Sequence, residues 1–299
     1  VRPVATLSNT GPRKNGTRPI PFAENYAQAN GRLASSALSL AADHPTRRFM
    51  MEKTRAIVLR AIDFSESSSI VTLFTREFGK ISGLAKGARR PKGPFEAALD
   101  LLAVCRIVFI HKSSDALDLL TEAKLERRFR AATRDLSRLY AGLYVAELLS
   151  ELTIEADPHP QLFDTAEWAI EQLDGNGDVV LVVLRFEMLA IQYLGHCPIF
   201  DECAECGSSV VSSGRVHFGV LQGGVLCRNC RSGKRQVLSI SSAALQAMRQ
   251  LADEQDDSWQ RNNEGPRVQG ELRGIVNQLI MCLLGRRPRM HEYLGTLTR

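Results

Sequence analysis

An α+β chain is predicted, a small β-barrel followed by helices that carry an inserted metal knuckle, and three observations predict it. Between residues 54 and 124, five short segments rich in Val, Ile, Leu and Phe are separated by turn-prone stretches. From Phe129 to Leu152, apolar residues recur every three or four positions, the face of one long helix. Cys203-x-x-Cys206 and Cys227-x-x-Cys230 form two matched pairs with twenty residues between them.

Taken in order, residues 1–50 lack apolar periodicity and are rich in Pro, Gly, Asn and Ser. They are expected to be a disordered extension, or to precede the true start, since Met50 and Met51 directly precede the first patterned strand. Strands are expected at 54–62, 70–75, 80–86, 101–111 and 117–124, with Gly79, Gly83 and Gly87 at the sharp bends a small barrel needs. Five strands in so short a span fit an oligonucleotide/oligosaccharide-binding (OB) barrel over 51–126. A helical domain is expected over 127–299. Its first helix stops before Asp157-Pro158, and further helices are expected near 161–173, 178–195, 242–254 and 268–285. Asp178 and Ser241 are placed to cap two of them. The cysteine knuckle, near 198–236, interrupts this domain as an excursion between two helices.

Charge is unevenly divided. The chain carries 38 Lys and Arg against 33 Asp and Glu, a net +5. Residues 51–140 hold seventeen cations against eleven acids, a net +6, whereas 141–299 hold fourteen against twenty, a net −6. A basic barrel joined to a mildly acidic helical region suggests a polyanion-binding module attached to a second unit. The densest apolar run, Val179 to Leu184, stops at Arg185 and is too short to span a bilayer. Cys105, Cys197 and Cys282 lie in apolar stretches and read as buried free thiols of a reducing, cytoplasmic compartment.

Two residues between ligands let both thiolates of a pair face one ion, and two such turns complete a tetrahedral Cys₄ site. Cys203, Cys206, Cys227 and Cys230 are therefore expected to hold a structural Zn²⁺. With every position filled by sulfur there is none left for a catalytic water, which argues against a metal-dependent hydrolase. The strongest electrostatic signal is Lys86, Arg89, Arg90 and Lys92, held by Gly87 and Pro91 in a loop between barrel strands, with Lys80 nearby. Such a loop can track phosphates. Arg127, Arg128 and Arg130 begin a second basic set where the barrel hands over to the helix. Arg127, Arg130, Arg134 and Arg138 would share one helical face, extending the track or pairing with Glu126 and Asp135. Phe64 and Phe95, in loop-like surroundings, are the candidates for stacking on bases, while Phe74, Phe78 and Phe109 read as core. Arg228, Arg231, Lys234 and Arg235 around the second cysteine pair, and Arg286, Arg287 and Arg289, read by default as solvated surface. No phosphate-cradling Gly-rich loop and no zinc-deaminase signature is found, so no enzyme is expected. A zinc-ribbon RNA-binding or transcription factor is the alternative, because a basic barrel alone does not choose between DNA and RNA.

Residues Glu66-Ser67-Ser68-Ser69, Phe78-Gly79-Lys80 and Ala85-Lys86-Gly87-Ala88-Arg89-Arg90 resemble the N-terminal domain of the bacterial RecO family of recombination mediators. The long helix and the cysteine pair that opens a knuckle inside the helical domain resemble its zinc-bearing members, in the same order along residues 51–290. The resemblance implies a non-enzymatic DNA-repair factor of the bacterial cytoplasm and nucleoid. It implies binding of single- and double-stranded DNA and annealing of complementary strands. It also implies work with RecR and RecF to replace single-strand-binding protein by the RecA recombinase. Carried onto this sequence, the DNA contacts fall on Lys80, Lys86, Arg89, Arg90 and Lys92, then on Arg127, Arg128 and Arg130. The first fifty residues and the C-terminal Arg286-Arg287-Pro288-Arg289-Met290-His291 stretch depart from the family pattern.

Overall fold

The computed structural model describes residues 51–90, 93–95, 98–111, 117–210, 213–261 and 265–294. The expectation for residues 1–50 and the expected contact at Lys92 fall outside the described residues.

Strands β1 (Met51–Asp63), β2 (Ser69–Thr75), β3 (Gly79–Ala85), β4 (Val104–Ile110) and β5 (Asp118–Arg127) close a barrel in the order β1-β2-β3-β5-β4. Neighbours run antiparallel except β3 and β5, whose parallel pairing through Gly83–Ala85 seals the barrel. The period-two pattern of a strand decides which side chains go inside. In β3, Ile81 and Ala85 turn inward while Lys80, Ser82 and Leu84 turn outward. Val58, Val71, Leu73, Ile81, Phe109 and Leu120 fill the interior. An irregularity between Val58 and Arg60 bends β1, so its first half pairs with β4 and its second half with β2.

The helical part comprises α1 (Leu136–Leu152), α2 (Pro160–Asp174), α3 (Val179–Tyr193), α4 (Ser242–Ala252), α5 (Pro266–Leu284) and a last turn, α6 (His291–Leu294). Asp178 and Ser241 cap α3 and α4 as expected, accepting from the N–H of Leu181 and Ala244. The first helix begins later than its periodicity predicts. Phe129 is buried, but residues 131–133 form a short 3₁₀ turn and Asp135, accepting from Ser137 N–H, starts the helix. Helix α3 is buried at every position from Val182 to Ile191, which makes it the centre of the helical part.

Barrel and helices share one core. Ile57, Leu59 and Phe74 point away from the barrel interior and pack with Tyr144, Leu148 and Phe163. The Phe78-Gly79-Lys80 turn is part of this joint. Gly79 has φ +68°, and a Cβ there would lie 2.3 Å from the backbone oxygen of Asp157. Only glycine meets both demands. Lys80 C=O accepts from Ala156 N–H at 3.1 Å, fixing the chain that leaves α1. Arg76 grips both carboxylate oxygens of Asp164 on α2, at 2.8 and 2.9 Å.

Between α3 and α4 the chain makes a three-stranded sheet, β6 (Arg215–Gly219), β7 (Gly224–Leu226) and β8 (Val237–Ser241), in the order β7-β6-β8. Gly224 lets the sheet approach Ile199 so closely that a Cβ would sit 2.6 Å from its carbonyl oxygen. Of the lone cysteines only Cys105 is buried, and burial pushes its thiol up to about 12. Cys282 is partly buried and Cys197 exposed, because the latter follows the end of α3 in an outer turn.

Candidate nucleic-acid interface and metal centre

The four knuckle cysteines converge. Their sulfurs all lie within 4.8 Å of one another. Each pair is built by a tight turn: Gly207, at φ +68°, donates its N–H to Cys203 C=O at 2.8 Å, and Arg231 N–H closes on Cys227 C=O at 3.1 Å. Sulfurs about 2.3 Å from a central ion at tetrahedral angles stand about 3.8 Å apart. Cys206 Sγ and Cys227 Sγ are 3.8 Å apart, so the geometry fits a metal ion. Close packing of the sulfurs drives their acidities apart. The backbone N–H of Cys230 draws Cys227 down to about 6, while Cys230, bonded to the Cys227 sulfur, is pushed up to about 12. The Ser208 hydroxyl and N–H lower Cys206. A divalent cation is the group that would let all four be thiolates together. Cys227 N–H also points at Cys203 Sγ, 3.4 Å away, supporting that charge.

On the barrel, the 86–90 loop is fastened to the β1–β2 turn. Arg89 N–H donates to Ser67 C=O at 3.2 Å, and its guanidinium reaches Ser65 C=O and Asp63, both at 3.3 Å. Gly87, at φ +78°, turns the chain so that Arg90 N–H bonds Gly87 C=O at 3.1 Å. Lys86, Arg89 and Arg90 are exposed on this clamp. Phe64, 63% exposed, stands at the tip of the same β1–β2 turn, next to the serine that Arg89 holds. Phe95, by contrast, is 2% exposed and fills the barrel, so the expectation that it stacks on bases is corrected.

Other expected contacts go elsewhere. The Lys80 ammonium donates to Ser150 C=O and Thr153 C=O, both at 2.6 Å, at the end of α1. Burial lowers its pKa. Lys80 is thus committed to the joint between barrel and helix. Arg127 ends β5 and is also engaged, donating to Glu167 C=O at 2.9 Å and pairing with Glu171. Because α1 starts only at Leu136, the shared helical face expected for Arg127, Arg130, Arg134 and Arg138 does not exist. Arg128 pairs with Asp100 at 3.3 Å, whereas Arg130 is exposed, with its N–H held by Asp174. Both line a cavity of about 400 Å³ that also contains Glu126 and Asp174. Arg134 and Arg138 bond α2's last carbonyls, Asp174 C=O and Leu173 C=O.

The sequence reading missed Arg106 and Lys124. They face each other across β4 and β5, and Arg106 also faces Arg55 on β1, so three cations stand in one register row. Like charges directly opposite are unfavourable. Glu126 offsets part of this by pairing with both Arg55 and Arg106, at 2.9 Å each. Part of the signal was available: Arg106 is the single outward interruption of an apolar strand, and Lys124 stands at an exposed position of the alternating β5.

An OB barrel carrying an exposed basic clamp, continuous with a helical domain that inserts a four-cysteine knuckle, is an architecture suited to a nucleic-acid-binding class of protein. Comparison with known proteins narrows this. A family model described as "Recombination protein O N terminal" matches residues 50–129, and one described as "Recombination protein O C terminal" matches residues 133–292. "DNA repair protein RecO" of Rhodopirellula baltica is 44% identical over 262 residues, covering 80% of this chain and 97% of that protein. The protein of the same name in Myxococcus xanthus is 32% identical, covering 80% and 95%, and that of Desulfitobacterium hafniense is 35% identical, covering 66% and 71%. The chain belongs to the RecO family of DNA repair proteins. Among the described residues, no helix is long and apolar enough to cross a membrane.

Proposed function

We propose that this chain is a recombination mediator that binds single- and double-stranded DNA through its barrel (51–126). It anneals complementary strands and helps RecA replace single-strand-binding protein, acting with RecR and RecF in the bacterial cytoplasm and nucleoid. The clamp carries the reading: three exposed cations, Lys86, Arg89 and Arg90, are held rigidly beside an exposed Phe64. Cations neutralise the two backbones so that bases can meet, and the aromatic ring offers a stacking face. No bond is made or broken in this action, so none of these residues is assigned a catalytic role. Lys92, outside the described residues, follows Arg90 by two positions in the sequence and is kept on the family resemblance; Arg128, still exposed beside Asp100, and the exposed Arg130 are kept as a second, separate set. Lys80 and Arg127 are left out because their charges are already engaged. Cys203, Cys206, Cys227 and Cys230 would hold a structural Zn²⁺ that keeps the knuckle folded within the helical domain (127–299).

The test is annealing of complementary DNA strands coated with single-strand-binding protein, across a salt series and without nucleotide. Salt-sensitive acceleration that falls with Lys86→Ala combined with Arg90→Glu is expected. No acceleration at concentrations that bind bare DNA, or a clear preference for RNA of equal length, would refute the reading.

A further inference from the structure

Beside the cysteine cluster lies a concavity of about 540 Å³ that the barrel does not touch. Its floor is β6, which contributes Arg215 and His217. One wall is the second cysteine turn with Arg228 and Arg231, and the other carries Ser209 and Ser213. None of the described lining residues is a carboxylate. This distinguishes it from the cavity of about 390 Å³ between α2 and α3, which is lined by Asp164, Glu254 and Asp257.

The arginines differ in how they are held. Arg215 is fixed to Ser239 and to Glu271, the latter at 3.1 Å, and serves as a half-neutralised wall. Arg231 donates to the His217 ring. A guanidinium has no acceptor, so this bond fixes His217 as a neutral imidazole. The His217 pKa is correspondingly lowered, first by burial and then by the charges of Arg231 and Arg228. Arg228 and Arg231 are exposed, and neither makes an ion pair with an acidic residue among the described residues. Two uncompensated guanidiniums over a cavity with hydroxyl donors make a site for an anion with several oxygens.

We propose that this knuckle pocket is a second phosphodiester site, taking a stretch of DNA backbone separate from the one held by the barrel clamp. The proposal rests on the DNA-binding reading above and adds to it. A protein that binds backbone at two places can hold each strand by its own contacts, in addition to the shielding that the clamp supplies. The cysteine turn then has a role beyond stability, since it sets the spacing of Arg228 and Arg231.

The experiment compares the full chain with Arg228→Gln/Arg231→Gln and with Lys86→Ala/Arg90→Ala. Each protein is titrated with a labelled single-stranded oligonucleotide over a salt series, then assayed for annealing, with metal content and melting temperature recorded. The knuckle variant should lose about 1.4 from the slope of log K against log salt, two contacts at about 0.7 each. It should still bind one strand through the clamp, and anneal at least fivefold more slowly. An unchanged slope and unchanged annealing, with the wild type binding DNA and the clamp variant weakened, would overturn the pocket alone. A wild type that binds no DNA would overturn the parent reading with it. Polyglutamate competing at this pocket more strongly than DNA of equal charge would assign it to an acidic peptide and overturn the proposal. Should the double variant lose its metal, Arg228→Gln alone decides the matter through a slope loss of about 0.7.

Discussion

Lys80 separates a structural cation from a ligand-binding one, and replacing it by Met makes the separation measurable. The ammonium donates two hydrogen bonds of 2.6 Å to the carbonyls of Ser150 and Thr153, which α1 leaves without partners at its end. Hydrogen bonds to charged groups contribute about 1.5–3 kcal/mol each. Lys80 is about half buried, so water recovers part of that when the ammonium is gone, and Met keeps the apolar stem. A net loss of about 2–3 kcal/mol follows, toward the lower end for two such bonds after screening. For a chain of this size that corresponds to a fall in melting temperature of about 5–10 °C. DNA affinity at fixed salt should stay within about twofold, because no charge leaves the exposed surface. Thermal unfolding and fluorescence anisotropy on the same preparation test both halves. A tenfold loss of DNA affinity with unchanged melting would refute the assignment and return Lys80 to the DNA surface.

Gly79→Ala should be worse than Lys80→Met, since the added methyl would strike the Asp157 backbone at 2.3 Å and sit at φ +68°; loss of soluble, cooperatively melting protein is the readout. Glu187→Ala leaves the Arg273 guanidinium buried without its carboxylate and strips the Tyr144 hydroxyl of its 2.5 Å acceptor. It should cost about 3–5 kcal/mol in urea unfolding, the range for breaking a buried pair. Cys227→Ser should lower bound metal and destabilise the helical part while the barrel clamp keeps its salt-dependent DNA affinity; equal stability with and without chelator in the wild type would remove the metal from the account. Glu271 accepts from the Ser241 hydroxyl and N–H and pairs with Arg215, and these hold its carboxyl below the usual 4.5. Its stabilisation is therefore present above that value and lost as pH falls through the lowered one. Glu271→Gln should be less stable than wild type at neutral pH, with the difference closing in acid.

Period-two apolar segments marked all five barrel strands, and helix spacing marked α2 to α5 to within a few residues. Local rules of this kind are written in neighbouring side chains. The misread positions depended on distant ones. Nothing near Lys80 says that α1's last carbonyls will arrive above it, seventy residues later in the chain. Phe129 fits the helical spacing because it enters the same core as α1, yet it does so from the end of a strand. Periodicity reports which side chains are buried together, not whether one helix buries them. Arg106 escaped notice because it is the lone charge in its strand and Lys124 because it sits between Glu122 and Glu126, and only the register brings them into a row with Arg55.

The same contrast explains how the basic residues divide. Arg55, Arg76, Arg127, Arg134 and Arg138 all end on α2 or on acids that α2 carries. Arg55, Arg76 and Arg127 bind the barrel to α2, and Arg134 and Arg138 bind the start of α1 to the end of α2, which is where much of the net positive charge of residues 51–140 is consumed internally. Lys86, Arg89 and Arg90 remain outward because their loop is fastened through backbone bonds and Asp63, leaving two of the three side chains without a carboxylate among the described residues. Arg228 and Arg231 stay outward because the cysteine turn, not an ion pair, fixes their backbone. In both places the main chain supplies the rigidity, and under the proposed reading the side chains without a carboxylate partner among the described residues are the ones offered to phosphate. A count of Lys and Arg therefore overstates the DNA surface, and the number of cations positioned by backbone alone is the better predictor of the salt slope.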